Sequence, residues 1–154
     1  MSAVPEVAAA PSSGWERVPA ADALEIGTVL TRCARLVDAR AWDELGRVFA
    51  EDAVMAAPSG TATGLAGIVE RARADTLEPH HITDTVLRRL DDDRVRAWSK
   101  WFLVCADGAV LGGEQLDLLV RTPAGWRIAE RRIARPDPER RDAVGALGVA
   151  DFLA

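Results

Sequence analysis

Residues 80–135 read HHITDTVLRRLDDDRVRAWSKWFLVCADGAVLGGEQLDLLVRTPAGWRIAERRIAR. Apolar residues here recur with a period near two, and the stretch is cut by short polar turns. The pattern predicts four strands at about 80–90, 94–105, 109–121 and 126–135. The turns are Asp91-Asp92-Asp93, Asp107-Gly108 and Thr122-Pro123-Ala124-Gly125. Asp-Gly between alternating runs is a strong hairpin signal, because glycine supplies the positive φ that a tight turn needs. Connections this short can join only antiparallel neighbours. Gly112-Gly113 inside the third run predicts a bulge or sharp bend.

Upstream of this block the period changes. Ile26, Val29, Leu30, Cys33, Leu36 and Val37 fall on one stripe and predict an amphipathic helix to about Asp38, opened by Asp22 and Glu25 in the manner of a capping box. Trp42, Leu45 and Phe49 predict a second, short helix. Residues 53–57 predict a strand, closed by Pro58-Ser59-Gly60. Leu65, Ile68, Val69 and Ala72 predict a third helix after Gly64, and Glu78-Pro79 stops it because the residue before proline is driven out of the helical region. The organisation is therefore an Ala/Pro/Ser-rich arm at 1–20, holding the outlying Trp15, one domain at 21–135, and a tail at 136–154. That tail begins charged and ends apolar at Val149, Phe152 and Leu153.

The second and third strands are apolar on both parities: Trp98, Trp101, Phe102, Leu103 and Val104, then Leu116, Leu118, Leu119 and Val120. Both faces of the sheet should then be covered. Helices cover one face, so a homodimer formed through the sheet is the expectation for the other.

At 154 residues, 49% apolar and 28% charged, the chain suits one globular domain. A formal net charge of −5, with acids and bases interspersed, argues against nucleic acid or an acidic membrane as the partner. Cys33 and Cys105 have no spacing that suggests a metal site and read as small buried hydrophobes. No transmembrane run or signal-peptide pattern occurs, which predicts a cytoplasmic protein.

Three helices followed by a bent antiparallel meander resemble the nuclear transport factor 2-like fold. Asp38-x3-Trp42-x2-Leu45-x3-Phe49-x2-Asp52 resembles that superfamily's N-terminal signature, and Gly64-x3-Ile68 the segment after it. Residues 125–131 (GWRIAER) resemble the last strand of its polyketide cyclase-like (SnoaL-like) branch, and His80-x3-Asp84 stands where many members have His-x3-Asn. The resemblance implies an α+β cone: three N-terminal helices packed on a strongly curved antiparallel sheet, around a pocket for a hydrophobic small molecule. Relatives act as cyclases, isomerases, dehydratases and epoxide hydrolases, usually without metal or cofactor. Others are non-catalytic, such as the β-subunits of ring-hydroxylating dioxygenases. The chain has no tyrosine, and Gln115 stands two before Asp117, so the tyrosine-dependent and Arg-x-Asp chemistries do not carry over.

Six residues are candidate acids and bases. His80 and His81 point to opposite faces of a strand, so one of them can enter the pocket. His80 shares parity with Asp84, and a His80–Asp84 pair would orient the ring for general acid–base work; otherwise Asp84 only caps a strand end. Asp38 closes the first helix near the pocket mouth, either facing the cavity or pairing with Arg40 or Arg132. Glu130 shares parity with Trp126 and Ile128, and is either a pocket carboxylate or half of an ion pair in the sheet. Asp117 is a pocket acid or a cross-strand charge partner. Trp42, Phe49, Met55, Trp101 and Trp126 are the candidate substrate contacts, with core packing as the alternative. The reading favoured is a cofactor-independent cyclase or isomerase/dehydratase for a polyketide-like metabolite. The alternative is a binding or assembly subunit.

Overall fold

The computed structural model describes residues 17–74, 78–135 and 152. The predicted arm up to residue 16, Trp15 included, and the tail at 136–151 and 153–154, with its Val149 and Leu153, lie outside the described residues.

The chain runs α1 (Ala20–Asp38), a 3₁₀ turn (Trp42–Arg47), β1 (Phe49–Ala57), β2 (Gly60–Thr63), α2 (Gly64–Ala74), β3 (His80–Arg89), β4 (Arg94–Val104), β5 (Val110–Thr122) and β6 (Gly125–Ala134). The six strands form one sheet in the order β2-β1-β6-β5-β4-β3. The meander β3–β6 is antiparallel throughout, as its short turns require. β1 joins the far side of β6 in parallel, with β2 folded back on it as a hairpin. Phe49, expected to end the second helix, opens β1 instead, because that helix is only one short 3₁₀ segment.

Ile26, Val29, Leu30 and Cys33 face inward from α1 at helical spacing and are buried. They meet Leu45, Val48 and Phe49, Ile68 of α2, and the inner sheet residues Val95, Ala97, Leu119, Trp126 and Ile128. At about 2–5 kcal/mol for each large-to-Ala truncation, this layer is what holds α1 to the sheet.

Asp22 and Glu25 do not form a capping box. α1 begins before them, with Pro19 at the N-cap and no side-chain cap. Both acids reach across to the sheet: Asp22 accepts from Trp126 Nε1 (3.1 Å) and Arg121 (2.7 Å), and Glu25 accepts the Trp126 backbone N–H (2.9 Å). At its other end α1 closes in a Schellman arrangement, Ala41 N–H to Leu36 C=O and Arg40 N–H to Val37 C=O, both 2.9 Å. Arg40 takes the left-handed position at φ 55° that glycine usually fills.

Two irregularities decide which side chains face inward. In β3 the register shifts between Thr83 and Val86, with Asp84 at φ 50°. In β6 it shifts opposite Leu118/Leu119, so that Leu118 pairs with Glu130 but Leu119 with Ile128. Ala129 is the extra residue, and every later side chain changes face. Gly112-Gly113 is not such a bulge, since β4–β5 pairing runs through it without a shift. A Cβ on Gly113 would collide with the Ala134 carbonyl oxygen and lie 2.9 Å from the Trp101 ring, so this glycine admits Trp101 across the strand.

The outer face of the sheet carries a second apolar cluster: Leu116, Ala134 and the half-buried Trp98 around Phe152, which is fully buried. The Phe152 ring lies 5.8 Å from that of Trp98, and Arg88 Nη1 donates to its carbonyl oxygen (3.2 Å).

Candidate active site

Between the inner sheet face and the helices lies a cavity of about 630 Å³. Its deep end is formed by buried side chains, among them Leu30, Cys33, Phe49, Met55, Ile68 and Gln115. Its open end is marked by the exposed Pro58, Ser59, Leu111 and Arg135. Trp101 forms one wall, its Nε1 donating to the Glu114 carbonyl oxygen (3.2 Å).

His80, the first residue of β3, lines the cavity. Its partner is Asp38, the last residue of α1, and not Asp84. Asp38 Oδ1 lies 2.9 Å from His80 Nδ1, and the His80 backbone N–H donates to both carboxylate oxygens (3.1 and 3.2 Å). The two backbone contacts anchor the carboxylate beside the histidine, and the Nδ1 contact orients the ring. With Asp38 accepting, Nδ1 carries the proton, and Nε2 is the nitrogen left for the cavity with its lone pair. Asp38 itself is not among the cavity-lining side chains; it stands behind the histidine.

The other expected site residues are dispersed. His81 is exposed on the opposite face and stacks on Phe102 at 4.7 Å between centroids. Asp84, at the β3 bulge, is exposed and pairs with Lys100 (3.1 Å), whose ammonium holds the carboxyl below the usual carboxylate range. The expected His80–Asp84 pair is absent because the bulge turns Asp84 outward. Glu130 is exposed on the outer face, not in the cavity, since the extra Ala129 breaks its parity with Ile128. Among the expected substrate contacts, Phe49, Met55 and Trp101 line the cavity. Trp42 and Trp126 do not: Trp42 packs on the core from outside, and Trp126 is a core residue tied to Asp22.

Asp117 is fully buried and belongs to a network beneath the cavity. Arg131 grips it through Nε–Oδ1 (2.6 Å) and Nη2–Oδ2 (3.1 Å), Gln115 Nε2 donates to Oδ2 (3.0 Å), and Arg131 Nη1 contacts Cys33 Sγ (3.3 Å). Burial works against the charge on Arg131, but the Asp117 carboxylate outweighs it and pushes the guanidinium's pKa up. Burial likewise pushes the Cys33 thiol up, so it stays protonated and unreactive at neutral pH. Arg131 and Gln115 face the cavity and were not anticipated from the sequence. The signal was available in Asp117 and Arg131 standing opposite one another, but reading it required the β6 bulge. Among the described residues, no cluster of three His, Cys, Asp or Glu side chains is grouped to hold a metal ion, and no helix is long and apolar enough to cross a membrane.

A curved six-stranded sheet with helices on one side places the chain in the nuclear transport factor 2-like class of α+β cones. Residues 19–132 match the SnoaL-like domain family, and the chain belongs to that family. No protein of curated function matches the sequence. Solved structures do. An NTF2-like protein with a cystatin-like fold from Novosphingobium aromaticivorans DSM is 24% identical, with a TM-score of 0.67 over 77% of this chain and 84% of that one. A protein from the same organism assigned as an aromatic ring hydroxylase is 25% identical, with a TM-score of 0.66 over 79% and 94%. A third, from N. aromaticivorans DSM 12444 and assigned as a scytalone dehydratase, is 18% identical, with a TM-score of 0.63 over 76% and 85%. The chain thus falls within a family that contains enzymes of the SnoaL-like and NTF2-like type.

Proposed function

We propose that the cavity is the active site of a cofactor-independent cyclase or isomerase/dehydratase acting on a hydrophobic, polyketide-like small molecule, as in secondary metabolism. The observation that carries this reading is the His80–Asp38 pair, which leaves His80 Nε2 to the cavity. Nε2 takes a proton from a carbon beside a carbonyl, and the C–H electron pair delocalises as an enolate. In dehydration the enolate expels a β-hydroxyl group, which takes the proton from the imidazolium and leaves as water. In cyclisation the enolate carbon attacks a second carbonyl, and the resulting alkoxide takes that proton back. Arg131 and Gln115, at the deep end, are the groups able to meet the enolate oxygen. Phe49, Met55 and Trp101 would hold the apolar body.

The test is turnover of aromatic β-hydroxyketone and poly-β-ketone substrates. His80→Gln should lower kcat by about 10²- to 10⁴-fold, the usual worth of a positioned acid–base group, with substrate binding kept. Intact turnover in both His80→Gln and Asp38→Asn would overturn the assignment.

A second reading, a non-catalytic binding or assembly subunit, is favoured by one observation: Asp117 is locked by Arg131 and cannot act on a ligand. Under either reading we place a second copy of the chain against the outer sheet face. The exposed Val86, Val104 and Val110 support that placement, and sedimentation of the purified protein tests it.

A further inference from the structure

The cavity has two chemically different ends. The deep end is apolar apart from the Arg131–Asp117–Gln115 network, whose charges cancel. The open end carries two more arginines, Arg71 of α2 and Arg135 just after β6. Among the described residues neither is paired with a carboxylate. Arg71 donates to Ser59 Oγ, in the turn between β1 and β2. Because Ser59 accepts that bond, its own hydroxyl hydrogen remains free to donate. The Arg135 guanidinium lies over the Trp101 ring, 5.7 Å from its centroid, which holds the cation at the edge of the aromatic wall. Among the described lining residues Glu78 is the one acidic side chain, against Arg71, Arg135 and the already neutralised Arg131. A chain with a net charge of −5 thus presents a cationic mouth above an apolar chamber.

From this arrangement we infer that the ligand is an aromatic or polycyclic molecule bearing a carboxylate. The apolar body enters along Trp101, and the carboxylate stays at the mouth between Arg71, Arg135 and the Ser59 hydroxyl. A guanidinium fork matches a carboxylate in shape as well as charge. The inference rests on the proposed active-site cavity and adds the class of molecule it takes. Anchoring the acid at the mouth sets how far the ligand reaches past His80.

The test compares 2-naphthoate with its neutral analogue 2-naphthamide by titration calorimetry on the full chain at low ionic strength. The naphthoate should bind about tenfold tighter or more, the scale of one charge-assisted contact. Arg71→Gln and Arg135→Gln should each erode that preference, and together abolish it, with naphthamide binding unchanged. The double lysine variant, which keeps both charges but not the planar fork, should retain part of it. Equal affinity for the two probes, or a preference that survives the double glutamine variant, would overturn the inference while leaving the cavity reading intact. If neither probe bound at all, both the cavity reading and this inference would fall.

Discussion

The carboxylate of Asp38, at the end of α1, and the imidazole of His80, at the start of β3, meet at 2.9 Å across 42 residues of chain. Neither element places its group alone. The Schellman turn stops α1 at Asp38, and the backbone N–H of His80 binds the same carboxylate that holds its ring. Two substitutions should therefore separate. Asp38→Asn keeps the size but lets the ring choose its tautomer, and should cost about 10- to 100-fold in turnover; His80→Gln removes the base and should cost more. Steady-state kinetics on both variants decide it, and a larger loss from Asp38→Asn would mean that the carboxylate itself is the base.

The Asp117–Arg131 pair is a stability element. Removing either partner leaves a buried charge without its counter-ion, so Asp117→Asn or Arg131→Met should cost about 3–5 kcal/mol. An apolar double replacement, Asp117→Leu with Arg131→Met, should cost clearly less than the sum of the two. Urea titrations of the three variants measure this.

Asp22 gives the fold an acid-sensitive link. Its hydrogen bond from Arg121, and next that from Trp126, hold its carboxyl below the usual carboxylate range. The folded-state value being lower than the unfolded one, the stabilisation is complete above about pH 4 and is lost as pH falls through the folded value. Wild type should exceed Asp22→Asn in stability at pH 7, and the gap should narrow by pH 3 in paired urea titrations.

Two residues with positive φ invite glycine. Arg40 and Asp84, at φ 55° and 50°, occupy the left-handed region at the end of α1 and at the β3 bulge. Arg40→Gly should raise stability by up to about 1 kcal/mol, and Asp84→Val should lower it by about 1–2 kcal/mol, both read as shifts in the urea midpoint.

Gly113 should tolerate no side chain. Gly113→Ala sets a methyl against the Ala134 carbonyl and the Trp101 ring, so it should cost at least about 1–3 kcal/mol and displace Trp101 from the cavity wall. A change in tryptophan fluorescence that accompanies the loss of stability would identify the ring as the group that moves.

The meander was legible because period-two runs and Asp-Gly turns are local signals. Its four predicted strands agree with β3–β6 to within about two residues at each end. Those local signals did not show the bulges. One extra residue, Ala129, carries Glu130 out of the cavity and turns Arg131 in, and the irregularity at Asp84 breaks the expected His80–Asp84 pair. Alternation assigns faces only while the register holds. The actual partner of His80 lies 42 positions away on a helix, a contact that no spacing rule reaches. Asp22 and Glu25 fit a capping pattern locally, yet the tertiary contact with Trp126 takes both side chains.

The proposed chemistry depends on which nitrogen His80 offers to the cavity. Long-range ¹H–¹⁵N correlation of the imidazole ring, recorded on uniformly ¹⁵N-labelled protein at alkaline pH, reads the tautomer directly. The structure predicts a neutral ring protonated on Nδ1 with Nε2 bare, and a loss of that bias in Asp38→Asn. A ring protonated on Nε2 in the unsubstituted protein would leave no base facing the cavity and would contradict the proposal.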